Sequence, residues 1–171
     1  MFGILSREDI LKLLKTTPPL VENLHDVEQQ VQPNGLDLTL REVALFSSSG
    51  SLDFSNKGRV LSRTSPLVFD GLGRIDLPSG CYLITYNEVL NLPNNIMALA
   101  APRSSLLRCG VGIHNAVWDA GYSGRSQSLM VVYNPQGFRL HRNARIVQIV
   151  FFLLSHEVGQ GYQGAFQGEN I

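Results

Sequence analysis

Beyond Gln32 the chain never sustains an apolar run longer than a single strand; the longest, Ile149 to Leu154, is strand-sized. Turn-forming clusters interrupt the apolar stretches, among them Gln32-Pro33-Asn34-Gly35, Ser47-Ser48-Ser49-Gly50, Asn56-Lys57-Gly58, Leu77-Pro78-Ser79-Gly80 and Leu92-Pro93-Asn94-Asn95. Proline presets φ and Gly and Asn accept left-handed φ, so each cluster favours a reversal. Leu36-Asp37-Leu38-Thr39-Leu40 alternates with period two, which puts its leucines on one face and Asp37 and Thr39 on the other. Further strands are expected at Cys81–Tyr86, Ile96–Ala100, Ser128–Tyr133, Phe138–Leu140 and Arg145–Leu154, with one or two between Val60 and Phe69, broken at Pro66. Only the start of the chain reads as a helix. Ser6 caps it, Glu8 and Asp9 lie over its first amides, and Pro18-Pro19 closes it. The pattern predicts a mainly β sandwich or barrel in one domain, 1–171, with a helix and linker over 1–19.

The tail, Gly159 to Ile171, is rich in Gly and Gln and is expected to be mobile unless something binds it. With 44% hydrophobic and 16% charged residues the chain is globular, and its zero net charge excludes a broad surface for a nucleic acid polymer. Cys81 and Cys109 form no C-x-x-C pair. No signal peptide and no membrane-length apolar segment is visible, so a reducing, cytoplasmic home without membrane contact is expected. The P-loop, the Rossmann glycine fingerprint and the zinc deaminase pattern are all missing. His25, His114, His141 and His156 lack metal-ligand spacing.

Chemistry concentrates between Ala101 and Gly124. Asp119 is the only carboxylate between Glu88 and Glu157, and Arg103, Arg108, Arg125, Arg139, Arg142 and Arg145 flank it in sequence. Guanidinium groups grip phosphate oxygens bidentately, and the Ser104 and Ser105 hydroxyls can complete a cradle. A lone carboxylate among them suits a base for water. Each element alone reads equally well as an ordinary polar turn. Together they point to a nucleoside triphosphate site.

The ordered motifs carry a resemblance. Gln32-Pro33-Asn34-Gly35-Leu36-Asp37-Leu38, Pro78-Ser79-Gly80, Leu92-Pro93, Arg103 to Gly110, Trp118 to Gly124 and Arg145 to Phe151 resemble the dCTP deaminase and dUTPase superfamily from about Gln32 to the C-terminus. The resemblance implies a distorted β-barrel, a jelly-roll-like β-clip, assembled as a homotrimer with sites between subunits. It also implies Mg2+ carried on the triphosphate, and no zinc. By the same resemblance Asp119 is the base, and Arg103, Ser104, Ser105, Arg108, Asn115, Tyr122, Gln148, Tyr162, Phe166 and Gln167 bind substrate. Asp37 stands either as an orienting group for metal-bound water or the α-phosphate, or as a turn residue.

Two activities occur in that superfamily. Deamination of dCTP needs a glutamate on the strand after the aspartate motif, where alignment on Tyr133-Asn134 puts Val131. Valine carries no proton. The tail, with Ala165 where the deaminases often have lysine, looks more like the deaminase branch. The expectation is a deaminase-type framework, most like an archaeal-type dUTPase, that hydrolyses dUTP to dUMP and pyrophosphate with Mg2+. The alternatives are dCTP deamination, alone or combined, and a nucleotide-binding trimer without catalysis.

Overall fold

The computed structural model describes residues 3–171. In chain order the elements are β1 (Gly3–Ile4), α1 (Arg7–Leu13), β2 (Val21–Glu22), α2 (Val27–Gln30), β3 (Val31–Gln32), β4 (Gly35–Phe46) and β5 (Thr64–Pro66). There follow β6 (Arg74–Leu77), β7 (Gly80–Tyr86), β8 (Val89–Asn91), β9 (Ile96–Pro102), α3 (Ser104–Arg108) and β10 (Val111–His114). The last four are β11 (Ser123–Gly124), β12 (Gln127–Val132), β13 (Phe138–His141) and β14 (Arg145–Leu153).

The main sheet runs β1-β14-β4-β7-β12-β10, all antiparallel, and is bound together by β4. This twelve-residue strand pairs with β14 through Leu36–Thr39 and with β7 through Leu40–Leu45. Register shifts at Leu40/Glu42 in one pairing and at Arg145/Val147 in the other bend the sheet on itself. The β14 strand also pairs along its length with β9, from Val147↔Pro102 to Leu153↔Ile96. Two smaller sheets, β11-β8-β2 and β13-β6, cover the rest. The curled β architecture agrees with the sequence expectation.

Alternation on β12 places Ser128, Met130 and Val132 inward and leaves Gln127, Leu129 and Val131 partly open. Leu36, Leu38, Leu40, Ile84, Met130, Ile149 and Phe151 are completely or almost completely buried in the core. Ser6 caps α1 as expected: its Oγ accepts from Asp9 N, and the Asp9 carboxylate accepts from Ser6 N at 3.2 Å.

The two faces of β4 depart from simple alternation. Asp37 and Thr39 are each 2% exposed, as buried as the leucines. The reason is a second layer, α2 and the β7–β8 turn, that lies over this face. Its anchor is Glu88. The Glu88 carboxylate accepts from Thr39 N at 2.9 Å, Thr39 Oγ1 at 2.6 Å and Gln30 Nε2 at 2.8 Å. Gln30 Nε2 also donates to Asp37 O. Burial pushes the Glu88 carboxyl up, while these donors oppose the shift.

Candidate functional site

The expected site residues fall into two groups. The first forms around Asp37. Gln148 pairs with Asp37 across β14–β4 and with Ala101 across β14–β9, so three strands meet there. Arg103 follows β9 in extended conformation and opens α3, so the Arg103-Ser104-Ser105 stretch is a helix start and not the simple turn that its composition suggests. Arg103 N donates to Ile146 O at 3.0 Å, which fixes the helix against β14. The buried Asp37 Oδ2 then lies 3.3 Å from Arg103 Nε and 3.4 Å from Arg145 Nη1. Burial pushes the Asp37 carboxyl up, and the Arg103 and Arg145 guanidiniums pull it back. Ser104, Ser105 and Arg108 are exposed beside this cluster, and Arg108 Nη1 donates to Ser104 O. Together they make a basic, hydroxyl-bearing surface with one buried carboxylate beneath it, suited to phosphate oxygens.

The second group surrounds a cavity of about 800 Å³. Asp119 lines it and is exposed, with no ion pair or side-chain hydrogen bond among the described residues. Trp118, whose backbone pairs with Ala98, anchors the Asp119 loop to β9. The tail supplies one wall through Tyr162, Phe166 and Glu169. It lies along the Asp119 loop of its own chain: Tyr162 N donates to Ala120 O, Gly168 N to Ser123 O, and Arg125 N to Glu169 O. Gln167 is held at both ends, accepting from Ser123 N and donating to Gly121 O. This approach requires glycine at 121. With φ +85°, a Cβ there would stand 2.5 Å from Gly161 Cα and 2.8 Å from Tyr162 N.

Tyr122 is buried, donates from its hydroxyl to Glu169 Oε1 at 2.8 Å, and packs edge-on against Tyr162. Burial pushes both the Tyr122 hydroxyl and the Glu169 carboxyl up. Asn115 sits between the two groups. Its Oδ1 accepts from Tyr86 and Ser128, and its Nδ2 donates to Ala100 O at 3.1 Å, which leaves one N–H unassigned.

A single chain does not bring the two groups together. None of Arg103, Ser104, Ser105, Arg108 or Gln148 lines the cavity. Their stations on β9 differ as well: Trp118 pairs with Ala98 and Gln148 with Ala101, about 10 Å along the strand. Nor do the six arginines converge on Asp119. Arg103 and Arg145 serve Asp37, Arg139 pairs bidentately with Asp76, and Arg142 lies over the Phe69 ring. Proximity in sequence disperses here because successive residues of a strand point to opposite faces and the arginines lie on different strands and loops.

Glu169 and Glu88 were not signalled by any motif, and Arg145 was one arginine among six. Among the described residues no group of three His, Cys, Asp or Glu could hold a metal ion. Asp37 is the carboxylate that lies beneath the basic surface.

The dCTP deaminase-like family matches residues 4–154. A Methanosarcina mazei protein named "Probable deoxyuridine 5'-triphosphate nucleotidohydrolase" is 51% identical over 168 residues, covering 98% of each chain. One from Methanocaldococcus jannaschii, named "Deoxyuridine 5'-triphosphate nucleotidohydrolase", is 35% identical over 154 residues, 90% of this chain and 96% of the other. Among solved structures, a 2'-deoxycytidine 5'-triphosphate deaminase from Agrobacterium tumefaciens shares the fold with a TM-score of 0.65 at 24% identity, covering 89% of this chain and 48% of its own.

Proposed function

This chain belongs to the dCTP deaminase-like family, and from its two groups of residues we propose that it hydrolyses dUTP to dUMP and pyrophosphate. The reading is carried by a cavity-facing Asp119, without a side-chain partner among the described residues, together with a valine, Val131, at the strand position where deamination needs a glutamate. A carboxylate stands ready for water, and β12 offers no proton carrier at that position for the cytosine ring. The names of the relatives, 51% and 35% identical along most of the chain, support the same choice.

In the reaction, Asp119 orients a water and takes its proton as the water oxygen bonds to the α-phosphorus. The bond from the α-phosphorus to the bridging oxygen of the β-phosphate breaks, and pyrophosphate leaves. Arg103, Ser104, Ser105 and Gln148 hold the triphosphate in line, with Arg108 at the rim, and Asp37 keeps Arg103 and Arg145 in position. Magnesium on the triphosphate would supply neutralising positive charge. Tyr122, Tyr162 and Phe166 offer aromatic faces to base and sugar, Asn115 keeps the strand end in place, and Gln167 closes the tail over the cavity. The separation of the basic surface and the Asp119 cavity on one chain supports what the family resemblance implies: a homotrimer in which the surface of one subunit faces the cavity of the next.

One observation favours a second reading. The tail carries a carboxylate, Glu169, into the Asp119 cavity, where it could stand in for the missing strand glutamate of dCTP deamination. Its Oε1 is already engaged by Tyr122. Separate incubations with dUTP and dCTP decide between the two. Hydrolysis predicts dUMP and pyrophosphate from dUTP and no ammonia from dCTP. Release of ammonia from dCTP would overturn the hydrolase-only reading.

A further inference from the structure

The β4–β5 connection is a projecting arm, and one of its residues does not behave like the rest. The arm continues the β4–β5 ladder outward: Ser47 N donates to Arg63 O, and Ser51 and Val60 exchange both backbone hydrogen bonds at 2.9 Å. Its tip is closed by Asp53, whose Oδ2 accepts from Gly58 N and Ser55 Oγ. From Ser51 to Val60 every residue is exposed except Arg59. Arg59 meets the tail: its guanidinium carbon lies 5.6 Å from the centroid of the Phe166 ring. Beside that contact, Leu61, Ser62 and Thr64 of the arm and its base line the same cavity as Phe166 and Glu169.

The tail itself has no basic residue between Gly159 and Ile171. Its attachment to the Asp119 loop and the strand after it comprises backbone and amide hydrogen bonds, the Tyr122–Glu169 bond, the Tyr162 contact and, at the far end, Arg125 Nε donating to Asn170 O. Arg59 touches it through Phe166 from the arm, and the reciprocal Ser51–Val60 bonds hold the backbone next to Arg59 in place.

We propose that Arg59 is a positioning residue for the hydrolysis, acting through Phe166 to hold the tail over the Asp119 cavity. The inference rests on the dUTP reading for its kinetic consequence and on the contact alone for its physical one. A guanidinium over an aromatic face is attractive, and at a partly exposed site the contact corresponds to about a twofold to fivefold change in equilibrium. Lysine at position 59 would keep the charge and part of the attraction, whereas glutamine would keep polarity and lose it.

The test compares the full-length chain with Arg59→Gln, Arg59→Lys, Phe166→Leu and the double variant Arg59→Gln/Phe166→Leu. The first readout is the rate at which chymotrypsin, which cuts after aromatic residues, cleaves after Tyr162 and Phe166. The second is kcat/KM for dUTP. Arg59→Gln should speed cleavage after Tyr162 about twofold to fivefold and lower kcat/KM by a similar factor, with unchanged Tm. Arg59→Lys should restore most of both, and Arg59→Gln should add nothing once Phe166 is leucine. Unchanged cleavage in Arg59→Gln, or a full Arg59→Gln effect in the Phe166→Leu background, would overturn the proposal. Should the unaltered chain fail to turn over dUTP, the hydrolase reading falls, and the cleavage rates still decide the role of Arg59.

Discussion

Asp37 Oδ2 lies 3.3 Å from Arg103 Nε, and the carboxylate is nearly inaccessible to solvent while the guanidinium is about one-third exposed. The acid therefore serves as a fixed seat for a cation that reaches the surface. Asp37→Asn keeps the volume and removes the charge that seats both Arg103 and Arg145. The expected result is a rise of about tenfold or more in KM for dUTP, the scale of one charge-assisted hydrogen bond, with a smaller change in kcat. Steady-state kinetics on the folded variant check it. An unchanged KM would remove Asp37 from the triphosphate grip.

Among the described residues Asp119 has no side-chain partner to lose. Asp119→Asn should change the unfolding free energy by no more than an ordinary surface substitution, about 0.5 kcal/mol, and slow hydrolysis by about two to four orders of magnitude. Calorimetry and single-turnover hydrolysis measure the two halves separately. Near-normal turnover would mean that another group activates the water.

Gly121→Ala tests whether the docked tail matters. The new methyl would meet Gly161 and the Tyr162 amide at impossible distances, and φ +85° disfavours any side chain. The tail should detach, seen as faster hydrogen exchange at the Tyr162 and Gly168 amides, and dUTP turnover should fall with it. If exchange speeds up while turnover holds, the docked tail has no part in the reaction.

Tail docking should depend on pH through Glu169. Burial raises its docked pKa above the ordinary 4.5, against the Tyr122 hydrogen bond, so the docked tail binds the proton more tightly than a free tail. The stabilisation is therefore fully present below 4.5 and is lost as pH rises through the docked value. Amide exchange at Gly168, corrected for its intrinsic pH dependence, should quicken across that window. Glu169→Gln should flatten the response, and an equally steep profile in that variant would assign the titration elsewhere.

Shared sites can be recognised by mixing. Arg103→Ala and Asp119→Asn chains are each expected to be nearly inactive. After subunit exchange at equal amounts, a site built from two subunits of a closed ring regains both intact halves about a quarter of the time. Light scattering should report a trimer. Absence of any recovered turnover despite verified exchange would place each site within one chain.

Much of this molecule was already legible along the chain. The turn clusters, the alternation in Leu36–Leu40 and the Ser6 cap are local signals, because φ preferences, hydrophobic period and capping hydrogen bonds each act within a few residues. The order of motifs likewise named Asp119 and Arg103. Sequence could not reveal where those residues stand relative to one another. Which arginine serves which acid depends on strand register, and a shift of one residue turns a side chain to the other face. Asp37 became the seat of two guanidiniums only because β9, β4 and β14 lie side by side and a Glu88-anchored layer buries it. Glu169 reached the Asp119 cavity from 50 residues away, and Arg59 met the tail's Phe166 from a distant arm, without any motif to announce them. Contacts of that separation exist only after the chain has closed on itself, so the tertiary structure alone decided them.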